Sequence, residues 1–110
     1  MEQIVSLRIK MSENQCYIYA VRYGRDGRRI QQVKARVLAK THSKPEQILS
    51  RERIIELIDS GFIVETRIKI TREDYRPGVA VLAYTLGKER FIKTEANSIE
   101  ADNLGELDIF

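Results

Sequence analysis

The chain has 110 residues, 43% of them apolar and 32% charged, with a net charge of +3 and one cysteine, Cys16. That suffices for one domain, 1 to 110, with a modest core; it leaves no room for a second, and it excludes an intrachain disulfide and a cysteine-built zinc site. No window holds the roughly 18 consecutive apolar residues of a membrane span, and Met1-Glu2-Gln3 carries an acid where a signal peptide carries cations, so a cytoplasmic location is expected.

Taken in chain order, Val5, Leu7, Ile9 and Met11 alternate with polar residues and predict a first strand with one buried face. Cys16-Tyr17-Ile18-Tyr19-Ala20-Val21-Arg22-Tyr23 is rich in aromatic and β-branched residues and predicts a second, with Cys16 a small buried hydrophobe. Gly24-Arg25-Asp26-Gly27 turns the chain, because Asp-Gly tolerates the positive φ of a tight hairpin. A third strand follows from Ile30 to Val37. Val33, Ala35 and Val37 share a face, and Ile30 breaks that parity, which points to a bulge or a late start. Residues 38 to 49, including His42 and Pro45, read as a loop.

Ser50 is a good N-cap, Ile54, Ile55, Leu57 and Ile58 fall at helical spacing, and Gly61 suits a left-handed C-terminal cap. A helix over Arg51 to Ser60 is therefore predicted, its narrow apolar stripe packing on one face of the sheet. Phe62 to Ile70 alternates as a long strand, Thr71 to Pro77 reads as a charged loop, and Gly78 to Leu86 reads as one buried strand. Gly87-Lys88 turns the chain into a short strand over Glu89 to Thr94. The remainder, 95 to 110, has no periodicity, with Leu104, Leu107, Ile109 and Phe110 as its apolar anchors. The sum is an α+β domain: an antiparallel sheet of about five to six strands with one short helix on one face, in the order β-β-β-α-β-β-β.

Ala20-Val21-Arg22 ahead of the Asp26-Gly27-Arg28 turn, the segment Ile54 to Gly61, the step Phe91-Ile92-Lys93-Thr94 and the closing Asp102-Asn103-Leu104-Gly105-Glu106-Leu107 together resemble one family. It is the small bacterial domain-of-unknown-function family numbered three-eight-nine-two. The resemblance covers residues 16 to 107, leaves the first strand as an addition, and departs from the family pattern in a longer loop at 38 to 49 and extra residues at 71 to 77. It carries over no activity, cofactor or catalytic residue.

Charge is unevenly placed. Residues 1 to 92 hold 18 Lys or Arg against 11 Asp or Glu, whereas 93 to 110 hold one Lys against five acids. A basic body with an acidic tail over 95 to 110 suggests an anionic partner or neutralisation by the tail itself. Chemistry finds little to stand on. His42 is the only histidine and has no identifiable nucleophile or orienting acid; no histidine pair, calcium-loop spacing or phosphate-cradling glycine run is present; and Glu73-Asp74 reads as a solvated pair. No enzyme activity, no metal and no cofactor are expected.

The informative set is basic and aromatic. Arg22, Arg25, Arg28, Arg29, Lys34 and Arg36 surround one hairpin, with Tyr17 and Tyr19 beside them. On a regular strand Tyr17, Tyr19, Val21 and Tyr23 share a face: a binding platform if open, and core if the helix covers it, which is the first reading for a chain with so few aromatics. The expected function is a non-enzymatic interaction module for a protein partner, through a sheet edge or the basic hairpin; a phage or mobile-element inhibitor or accessory protein is a special case. The alternative is a nucleic-acid-binding protein using the hairpin from Arg22 to Arg36. No membrane partner is expected, and a homodimer is compatible with either.

Overall fold

The computed structural model describes residues 14–39, 42–43, 45–71, 74–95, 99–105 and 107–110. The first expected strand, at 5 to 11, lies outside them. The chain runs β1 (Gln15–Tyr23), β2 (Ile30–Ala39), β3 (His42–Ser43), β4 (Gln47–Ser50), α1 (Arg51–Asp59), β5 (Ile63–Lys69), β6 (Tyr75–Ala80), β7 (Leu82–Leu86), β8 (Glu89–Lys93) and β9 (Asp108–Ile109). The architecture is α+β, with one helix among the described residues and a mostly antiparallel sheet.

The helix forms for the reasons its sequence states. The Ser50 hydroxyl accepts the Arg53 amide at 3.1 Å, satisfying one free donor of the first turn, and Glu52 sits favourably at the positive end of the helix dipole. At the other end Gly61 takes φ +95°, its amide donating to the Ile58 carbonyl while that of Phe62 reaches back to Leu57. These two bonds make a Schellman cap, and half-buried Phe62 supplies its hydrophobic contact. Ile54 and Leu57 are buried, with Ile55 and Ile58 at the margins of the stripe.

The main sheet is ordered β3-β2-β1-β5-β6, with β4 also along β2 and β9 along β1; β7 and β8 form a separate hairpin. Two pairings are parallel, β1 with β5 and β1 with β9, where hairpins alone imply an all-antiparallel sheet. The cause is the crossover. β4 lies antiparallel to β2 and hence parallel to β1, and the helix then carries the chain over the sheet to lay β5 along the far side of β1. α1 packs against β2, β4 and β5, and its stripe meets Cys16, Ile18, Val33, Ala35 and Val64 in the core.

Three departures from the sequence reading have physical causes. The expected loop at 38 to 49 contains strand among its described residues: β2 continues to Ala39, and β3 and β4 add strand pairing along its edge, so His42 lies in a strand. The expected buried strand from 78 to 86 is divided. Val81 is buried and its amide still bonds Val64 of β5, after which β7 leaves to pair with β8; Val79 and Leu82 on either side are about half exposed. The charged segment before it contributes β6, where Pro77 lies opposite Arg67.

β-bulges shape the sheet. In β1, Ile18 faces Ala35 and Ala20 faces Lys34, so Tyr19 is the extra residue and the alternation changes phase there. In β2, Gln31 is extra between the Tyr23–Ile30 and Arg22–Gln32 pairs, which answers the parity break at Ile30 with a bulge. In β6 the bulge falls at Gly78 and Val79, whose amide bonds the Thr66 hydroxyl at 3.0 Å.

Candidate functional site

The bulge at Tyr19 decides what each face of β1 presents. Before it Cys16 and Ile18 point into the core and Tyr17 points away; beyond it Val21 and Tyr23 turn inward and Arg22 outward. The four residues expected to share a face are thus divided. Tyr23 packs against the core, while Tyr17 and Tyr19 are half-buried on the face opposite the helix. Strict alternation could not have shown this, because a bulge inserts one residue without changing composition.

That outer face is cationic and aromatic. The Arg67 guanidinium lies 3.9 Å from the centre of the Tyr17 ring, the Tyr17 hydroxyl donates to Gln15 Oε1, and Arg36 is the cross-strand neighbour of Tyr17. Tyr19 stands between two adjoining clefts. One, of about 360 Å³, is lined by Tyr19, Arg36, Pro45 and Glu46. The other, of about 300 Å³, brings Lys34, Asp108 and Phe110 to Tyr19 and Glu46.

Phe110 fills one end of this surface. Its ring lies 4.6 Å from the Arg22 guanidinium carbon and 4.9 Å from Lys34 Nζ, while Arg22 Nε donates to the Phe110 main-chain oxygen at 3.0 Å. The backbone arrives there because Asp108 and Ile109 pair in parallel with Ala20 and Val21, and the Phe110 amide bonds the Val21 carbonyl at 3.0 Å.

The hairpin tip is more self-contained than its charge suggests. Arg29 forms an ion pair with Glu89, and this contact holds the Glu89 carboxyl below its ordinary range. The Arg28 guanidinium donates to the Glu100 carbonyl at 2.7 and 3.1 Å, and the Arg28 amide bonds Asp26 Oδ1 at 2.9 Å, lowering the Asp26 pKa. Arg25 alone of the tip arginines makes no side-chain contact of this kind among the described residues. The eight singled-out residues therefore separate into two groups: Tyr17, Tyr19, Arg22, Lys34 and Arg36 on the outer face, and Arg25, Arg28 and Arg29 at the tip.

Among the described residues no group of three or more His, Cys, Asp and Glu side chains could hold a metal ion, and no helix is long and apolar enough to cross a membrane. Cys16 is fully buried, and desolvation pushes its thiol up to about 12, far from the reactive thiolate range.

Two residues that sequence reasoning did not single out for a role hold the fold's closing segment. Asp102 Oδ2 accepts the Ile30 amide at 2.8 Å and Arg51 Nε at 2.7 Å; Oδ1 accepts the Ile92 amide at 2.9 Å; and the Asp102 amide donates to the Arg28 carbonyl at 2.7 Å. Arg51, at the first position of α1, also donates to the Arg90 carbonyl. Asn103 continues the closure, exchanging backbone bonds with Ile92 and Thr94, and Leu104 is buried. The Asp-Asn-Leu run was visible in the sequence; its role was not, since nothing local marks a carboxylate that will be buried.

A family described as protein of unknown function (DUF3892) has a model that matches residues 17–108. The chain belongs to that family. No curated protein matches the chain, and no solved structure does. The segments by which this chain resembles DUF3892 now have physical work attached: the Asp26-Gly27-Arg28 turn, the Gly61 helix cap, the buried Phe91-Ile92-Lys93 step of β8, and the Asp102 closure.

Proposed function

We propose that the chain is a non-enzymatic interaction module that binds a protein partner through the helix-free face of β1 and β2, in the cytoplasm. The observation that carries this reading is the lining of the clefts around Tyr19, where Lys34 and Arg36 stand beside Glu46 and Asp108. Both signs of charge around an aromatic suit the mixed surface of a protein, while carboxylates within the site oppose a phosphate backbone. Arg28 and Arg29, which a nucleic-acid site at the hairpin would need, are engaged with Glu100 and Glu89. Exposed Ile48 on β4 and Val79 on β6 add apolar surface at two sheet strands.

The test is capture of partners by the tagged chain with and without nuclease, repeated with Arg36→Glu and Arg25→Glu. A stoichiometric protein that survives nuclease, is lost with Arg36→Glu and is kept with Arg25→Glu supports the reading. Bound material that disappears on nuclease treatment, with affinity falling steeply as salt rises, replaces it with nucleic-acid binding.

A further inference from the structure

We infer that the slot on β1 filled by β9 and Phe110 is a peptide-docking site, whose partner presents an extended acidic-apolar-aromatic segment that displaces Asp108-Ile109-Phe110. This rests on the protein-partner reading and gives the partner its chemistry. The chain's own segment shows what the slot accepts.

The edge of β1 is shared between two neighbours. Gln15 to Ile18 pair with β5, but past the Tyr19 bulge that pairing ends, and among the described residues Ala20 and Val21 are covered on that side by the two residues of β9 and the Phe110 amide. Backbone groups at such an edge accept an added strand, and side-chain pockets beside it select the sequence. Here the selection is legible: an aromatic ring between Arg22 and Lys34, and an acid beside Lys34 and Tyr19 in the cleft. The present occupant is held at its end by Phe110, through Arg22 and Lys34, and little before it. Ile109 is 73% exposed, and the ladder amounts to two residue pairs and the Phe110 amide. The tail's core contacts lie upstream of residues 108–110, at buried Leu104 and half-buried Leu107, with Gly105 at φ +76° between them.

The probe is a fluorescent peptide, Gly-Glu-Leu-Asp-Ile-Phe, titrated against the full chain by polarisation. Wild type should bind it weakly because its own segment competes, and Phe110→Ala should bind about tenfold more tightly. Adding Lys34→Glu to Phe110→Ala should remove that gain. Asp108→Lys, at an exposed position, provides a second way of loosening β9 and should also increase binding if Phe110→Ala unfolds the chain. Equal affinity in wild type and both loosened variants, or a gain that Lys34→Glu leaves intact, overturns the inference. Capture of a nuclease-resistant partner with no peptide binding by any variant overturns the peptide slot alone; peptide binding with no such partner overturns the protein-partner reading alone.

Discussion

The Asp102 carboxylate and the Arg51 guanidinium meet at 2.7 Å, with the acid side chain wholly buried and the arginine 13% exposed. Removing one member of a buried pair leaves the other without compensation, typically at a cost of about 3–5 kcal/mol. Asp102→Ala also strands the Ile30 and Ile92 amides. Chemical denaturation of Asp102→Ala should show a loss in that range, and Asp102→Asn, which keeps the shape and one acceptor, a smaller one. A loss under about 1 kcal/mol for the alanine variant would show that the pair is dispensable.

Gly78 sits where β6 bulges against Thr66. A Cβ at this position would lie 1.9 Å from the Thr66 hydroxyl and 2.5 Å from its carbonyl oxygen, and the backbone atom cannot rotate away. Gly78→Ala should destabilise by about 1–3 kcal/mol, the usual cost of overpacking. Pairing it with Thr66→Ala should recover only part of the loss in denaturation midpoint, because the carbonyl clash persists.

Cys16 is expected to be chemically silent while the chain is folded. With its thiol pushed up to about 12 and no exposed surface, iodoacetamide at pH 8 should label it only in denaturant. Rapid labelling of native protein would place the residue outside the core.

Acid should weaken the fold through surface carboxylates. Arg29 beside Glu89 and Arg90 beside Asp59 hold both acids below their ordinary values, and the Arg28 amide does the same for Asp26. A depressed folded value means that the stabilisation is complete above the unfolded value, near pH 4, and is lost as pH falls through the folded one. The melting temperature should therefore drop between about pH 5 and 2. Glu89→Gln with Asp59→Asn should flatten part of that drop; an unchanged profile would assign acid sensitivity elsewhere.

What could be read from residues alone was whatever local chemistry determines. The helix from its Ser50 cap to Gly61 and the two glycine-bearing hairpins follow from short-range preferences and are present, and of the two readings of the parity break at Ile30, bulge or late start, the bulge is the one found. Long-range events were hidden. The parallel placement of β5 depends on where a crossover lands, and the Tyr19 bulge on the register of β1 against β2. The same limit applied to the site: the basic hairpin was evident, but whether each arginine faces outward or binds back to Glu89 or Glu100 is decided by residues some 60 to 72 positions away.

The Asp102 carboxylate gathers backbone from positions 30 and 92 and a side chain from position 51. During synthesis those three places emerge before the group that joins them, so the nascent chain can form α1 and the β1–β2 hairpin while its closing bonds are still missing. Such distant pairings slow folding relative to local ones. The domain should consequently acquire protection from proteases in a single late step, after residue 102 has left the ribosome, with little resistance accumulating strand by strand beforehand.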